Sequence, residues 1–186
     1  MACFDYTSYC AHPRKCKRLM RDFLQDATTL TYEDDETGEE CTRVIKIEKG
    51  PCFETSPYAL DVENIHIEYN FSQLTWFDSS KLFNRNFYKR SPMSRGFSSL
   101  TIALLHELGH HETLFDVPDN YDRVKAEKRI MARYAYNLKK LNEAYFKLKD
   151  EILATDWAIG WLSNPENRKK AQRFEKEFFK AWRGEK

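Results

Sequence analysis

No apolar run in this chain approaches the about 20 residues that a membrane-spanning helix needs. A dominant charge is missing as well. Lys and Arg total 30 against 29 Asp and Glu, a formal net charge of +1, so bulk electrostatics point to neither a nucleic-acid nor a membrane partner. Glycine and proline are scarce, six of each. There is no internal repeat and no low-complexity linker to divide the chain, and one domain over residues 1–186 is expected. Cysteines number five, an odd count. Cys3, Cys10, Cys16, Cys41 and Cys52 all fall in the first third, which argues against a secreted disulfide framework and for free thiols. Cys10, His12 and Cys16 match no standard zinc-finger spacing. The start, Met1-Ala2-Cys3-Phe4-Asp5-Tyr6, shows neither a basic leader nor an apolar signal core, so the expected location is cytoplasmic.

Histidine is also rare, five in all, yet two of the five stand in one short motif, His106-Glu107-Leu108-Gly109-His110. The motif ends an apolar stretch, Phe97 to Leu105, that reads as a buried helix. Residues four apart share a helix face one turn from each other, so both imidazoles can point at one metal ion. Glu107 lies one step round from His106, beside the metal without binding it, where it suits a general base acting on water. By chance alone such a pattern arises on the order of once in a hundred chains of this composition.

Around this helix the periodicity predicts the rest. Residues 14–27 form an amphipathic helix with Cys16, Leu19, Met20, Phe23, Leu24 and Ala27 inward and Arg14, Lys15, Lys17, Arg18 and Arg21 on a solvated face. Thr28–Tyr32 and Cys41–Glu48 read as a hairpin joined by the acidic, Gly38-containing loop 33–40, a solvated turn. Val62–Phe71 alternates as a half-buried strand, with Ile65, Ile67 and Tyr69 on one side, and an extended substrate could lie along it and pair with its backbone. Gly50-Pro51-Cys52 and Ser56-Pro57 mark turns, and residues 72–96 look irregular. Ser98 or Ser99 caps the motif helix. Pro118 ends it, and Asp119 or Asn120 caps the next helical segment. Residues 121–163 look helical throughout, as one helix or two. Pro165 starts a last helix that buries Ala171, Phe174, Phe178 and Ala181 or Trp182.

A catalytic zinc takes three protein ligands and leaves one position for water. The third ligand is best sought at Glu151, which shares a helix face with the small residues Ala154, Thr155 and Ala158, so its helix can approach closely. Asp156 points about 140° away from Glu151 on an ideal helix and is a weaker candidate, as is Cys52 after Gly50-Pro51. For an oxyanion donor, Tyr134, Tyr136, His111 and His66 are candidates.

H-E-L-G-H followed by E-x-x-A-x-x-W-A, Glu151 to Ala158, resembles the ImmA/IrrE-like metallopeptidases, a family found in phages, mobile elements and bacterial stress regulation. The resemblance covers about residues 98–162. It implies an α+β, zincin-like fold: a small twisted, mostly antiparallel sheet packed on an active-site helix, with further helices C-terminal to it. It also implies one Zn²⁺ ion held by His106, His110 and Glu151, with Glu107 catalytic and a protein or peptide as substrate. The competing expectation is a zinc-containing binding protein that sequesters or inhibits a regulatory partner without cleaving it.

Overall fold

The computed structural model describes residues 6, 9–52, 54–55, 61, 63–74, 84–118 and 120–185. The sequence readings at Cys3, Ser56-Pro57, Val62 and Asp119, and residues 75–83 of the irregular stretch, lie outside them. The fold is mixed α+β. Helix α1 (Pro13–Gln25) buries Cys16, Met20, Phe23 and Leu24 at helical spacing. Strands β1 (Thr31–Glu33) and β2 (Glu40–Thr42) form an antiparallel hairpin. Its acidic loop is self-contained: Asp34 Oδ1 accepts from the Glu36 and Thr37 amides and the Thr37 hydroxyl, and Gly38 takes φ 68°, where a side chain would be strained.

Two sheet expectations need correction. The second hairpin strand is shared between two sheets. Arg43 N–H still bonds Leu30 C=O in the hairpin, but Val44 N–H turns to Glu63 C=O and begins β3 (Val44–Lys49). The three-stranded sheet has the order β3-β5-β4, with β4 at Glu54–Thr55 and β5 at Asn64–Tyr69. Its long ladder, β3 with β5, is parallel, and only β4 runs antiparallel, so the sheet is mixed and not mostly antiparallel. Ile45, Ile47, Ile65, Ile67 and Tyr69 supply its buried face, as the alternation predicts. β3 lies along one side of β5 and β4 covers Ile67 and Glu68 on the other, so over those two residues no substrate strand can lie alongside β5.

After short turns at Asn84–Tyr88 and Pro92–Gly96, helix α2 (Ser99–Glu112) runs through the middle of the molecule, buried on all sides except at Glu112. Ser98 caps it, its hydroxyl accepting from Thr101 N–H. The Glu175 carboxylate accepts from Ser98 N–H at 2.6 Å and from the Ser98 and Thr101 hydroxyls, a negative charge where the helix dipole favours one. At the far end Glu112 accepts from Thr28 and Thr29.

The segment 121–163 is three helices and not one or two: α3 (Arg123–Tyr134), α4 (Leu138–Tyr145) and α5 (Lys149–Ser163). Asp122, not Asn120, caps α3 by accepting from Lys125 N–H. Asn137 caps α4 in the same way through Lys140 N–H. The second break is set by Leu148, which turns inward and is buried. Finally α6 (Pro165–Arg183) lies against α1 and buries Ala171, Phe174, Phe178, Ala181 and Trp182. One apolar core joins α1, β3, β5, α2, α5 and α6. Helices α3 and α4 bury none of their residues.

Candidate metal centre

Helices α2 and α5 cross at Gly109. A Cβ built there would lie 2.6 Å from Ala154 O and 3.0 Å from Ala154 Cα. Only glycine permits this approach, and the approach brings the first turn of α5 onto the histidines of α2. Glu151 Oε2 lies 3.1 Å from His106 Nε2, and Glu151 Oε1 lies 3.6 Å from His110 Nε2. The three ligand atoms lie within 4.8 Å of one another. Tetrahedral zinc at about 2.0–2.1 Å from N or O sets its donors roughly 3.3 Å apart, so this set fits such an ion.

The three side chains are dry. His106 and His110 are each 8% exposed and Glu151 is 2% exposed. Phe87 packs edge-on to the His106 ring, with centroids 5.6 Å apart. Thr155 Oγ1 lies 3.4 Å from His106 Nδ1. With Nε2 given to a metal, Nδ1 keeps the proton and donates to this hydroxyl, which fixes the tautomer and ring orientation. Burial, then the neighbouring His106, pushes His110 down to about 3, so it is a neutral imidazole ready to ligate. Glu151 is held down at about 2 in spite of its burial, chiefly by its hydrogen bond to His106. A buried carboxylate that stays ionised beside two imidazoles is a donor set suited to a divalent cation.

Glu107 is as sequestered as these three side chains but lies outside their cluster. Burial pushes its carboxyl up to about 7, and the charges of Glu151 and Glu54 add to the rise. It is therefore poised to take and return a proton near neutrality.

Asp156 is half exposed and ion-pairs with Arg90 at the surface. Cys52 Sγ donates to Glu54 Oε2 at 3.0 Å, and burial and that carboxylate push the thiol up to about 12. Neither residue belongs to the cluster. Cys10, Cys16, Cys41 and Cys52 are unbridged. Among the oxyanion candidates, Tyr136 is fully exposed and His66 pairs with Asp61 on the outer face of β5. Tyr134 has the Arg133 guanidinium over its ring. His111 faces β4: Thr55 donates its hydroxyl proton to His66 C=O and so accepts from His111 Nε2–H.

Two residues that the sequence reading misses do reach the centre. Arg123 Nη2 lies 3.0 Å from Glu151 Oε1. The same guanidinium pairs with Asp150 and with Glu127 and donates to the Tyr145 hydroxyl. Tyr121 donates to Asp150 at 2.8 Å. Burial, then the charge of Glu151, raises the Tyr145 pKa, so its phenol stays a neutral donor. The available signal was Asp150-Glu151 itself: two adjacent buried carboxylates demand a cation, but 30 Lys and Arg leave the choice open.

Comparison with protein-family models, with curated proteins and with solved structures gives no match for this chain. No helix among the described residues is long and apolar enough to cross a membrane.

Proposed function

We propose that the protein is a zinc-dependent peptidase with a zincin-like arrangement of active helix, ligand-bearing second helix and small sheet. The observation that carries this reading is the convergence of His106, His110 and Glu151 beside a Glu107 that they do not need for metal binding. The resemblance of H-E-L-G-H and E-x-x-A-x-x-W-A to the ImmA/IrrE-like metallopeptidases supports it. A zinc ion at this site supplies Lewis acidity toward the scissile carbonyl and toward a water. The chain supplies the rest. Glu107 takes the proton of the attacking water and returns it to the leaving amine. The Tyr145 hydroxyl accepts from Arg123 and helps to hold Glu151. Arg123 holds Glu151 in place, and Thr155 holds His106. An extended substrate pairs with the outer edge of β4, which Thr55 and His111 tie to α2.

Glu107→Gln keeps the shape of the side chain but cannot accept a proton. On a peptide substrate found by a proteomic cleavage screen, the variant loses about 10²- to 10⁴-fold in turnover while holding zinc as tightly as the wild type. Equal turnover at full zinc occupancy refutes the role of Glu107 and leaves the metal a binding or structural element.

A further inference from the structure

The basic face of α1 takes no part in the metal centre. It forms one wall of a groove of about 440 Å³, whose other wall is β3 from Val44 to Glu48. Arg14, Lys17, Arg18 and Arg21 come from the helix and Lys46 from the strand. Glu48 is the one acidic residue in the lining. Of these five cations only Arg21 has an acidic partner among the described residues, its neighbour Asp22. Four cations thus face one groove with no carboxylate paired to them.

The strand wall carries a second, independent feature. β3 is the sheet edge opposite β4. Val44 N–H and Gly50 N–H both bond toward the β5 side, so Ile45, Ile47 and Lys49 direct their backbone groups outward. One pair of outward groups is met by a side-chain amide acting as a strand would. Gln25 Nε2 donates to Arg43 C=O and Gln25 Oε1 accepts from Ile45 N–H, each at 2.9 Å. Beyond it, Ile45 C=O, Ile47 N–H and C=O, and Lys49 N–H meet no partner among the described residues. This is an open edge of the kind that accepts another strand.

We propose that this groove binds an extended acidic peptide segment of a partner protein, which adds as a strand to the free edge of β3 and offers alternate carboxylates to α1. The spacing agrees. Residues 14 to 21 span about 10.5 Å of helix, and same-side residues of a strand repeat every 6.6–6.8 Å or so, so two or three carboxylates meet the cations of α1. A nucleic acid fits less well. No aromatic residue lines the groove to stack a base, and a phosphate backbone does not match an edge of alternating amides and carbonyls.

The test is fluorescence anisotropy with the full chain and a labelled peptide of about ten residues alternating threonine and glutamate. Two N-methylated forms are compared, one methylated on the threonine amides and one on the glutamate amides. In a strand these two sets face opposite edges. The parent peptide should bind, and one methylated form should bind at least about tenfold more weakly than the other. The double variant R14E/R18E should lose about tenfold in affinity at unchanged melting temperature, and a threonine–lysine peptide should not bind. Equal binding of the two methylated forms overturns the strand-addition model. Absence of binding by the parent peptide, or tighter binding of a ten-residue oligothymidylate, overturns the proposal altogether.

Discussion

Helices α2 and α5 and helices α3 and α4 stand in opposite relation to the core. Helix α2 is buried along nearly its whole course, and α5 buries Asp150, Glu151, Ala154, Thr155, Ala158 and Leu162. Helices α3 and α4 bury nothing, and Val124, Met131 and Leu138 remain well exposed. Both pairs nonetheless reach the same site. The inner pair holds His106, Glu107, His110 and Glu151 at fixed positions in the core. The outer pair provides Arg123 and Tyr145, polar groups that steady Glu151 from the surface side. For the proposed metal site the contrast separates holding the ion from tuning it: ligands need close-packed helices, whereas their polar supports tolerate a lightly anchored hairpin.

The difference between the pairs is sharpest at Gly109. Helix propensity alone predicts that Gly109→Ala gains about 1 kcal/mol. The contact with the Ala154 backbone predicts instead a loss of about 3 kcal/mol from overpacking, with zinc binding lost as Glu151 retreats. Gly160, in the same helix pair, has open space around it, so Gly160→Ala should stabilise by about 0.5–1 kcal/mol. Urea denaturation of the two variants reads the difference in sign. If both stabilise, the inner pair is not closely packed.

Next in size is Arg123. Arg123→Met keeps much of the aliphatic stem but removes the charge on Glu151. Zinc affinity, measured by competition with a chelator, should fall about 10- to 100-fold, and stability should fall as well, because buried Asp150 and Glu151 lose their counter-ion. Unchanged zinc affinity would make Arg123 a structural partner of the two carboxylates and not a support of the metal.

The smallest effect concerns His111, which joins α2 to the sheet. Burial, with the Arg43 charge adding to it, holds its pKa down at about 4. The unfolded chain, with histidine near 6.5, therefore binds more protons between about pH 4 and 6.5, so stability falls as the pH falls through that window. His111→Gln keeps a donor for Thr55 and removes the titration. Its melting temperature should drop less between pH 7 and pH 5 than that of the wild type. An equal drop places the acid sensitivity elsewhere.

How far the sequence reaches depends on the range of the interactions. The H-E-x-x-H motif, the faces of α1, β5 and α6, and the Ser98 cap depend on neighbours within a turn or two, and their spacing reads directly. Glu151 was reachable because a small-residue face is itself local. The parallel pairing of β3 with β5 depends on residues some 20 apart, and the switch between sheets at Arg43 leaves no mark in an unbroken alternation. The breaks before α4 and α5 carry neither glycine nor proline, although Asn137 offered a cap. Arg123 and Tyr145 are selected by where α3 and α4 come to rest, which no periodicity encodes.

The proposed chemistry stands on one zinc ion per chain bound by His106, His110 and Glu151. Zinc-edge X-ray absorption on the metal-loaded protein measures this ligand set directly. Ligation by these three residues predicts a first shell of nitrogen and oxygen alone at about 2.0–2.1 Å, with outer-shell scattering from two imidazoles and no sulfur. A sulfur scatterer at about 2.3 Å, or scattering from fewer than two imidazoles, would contradict it.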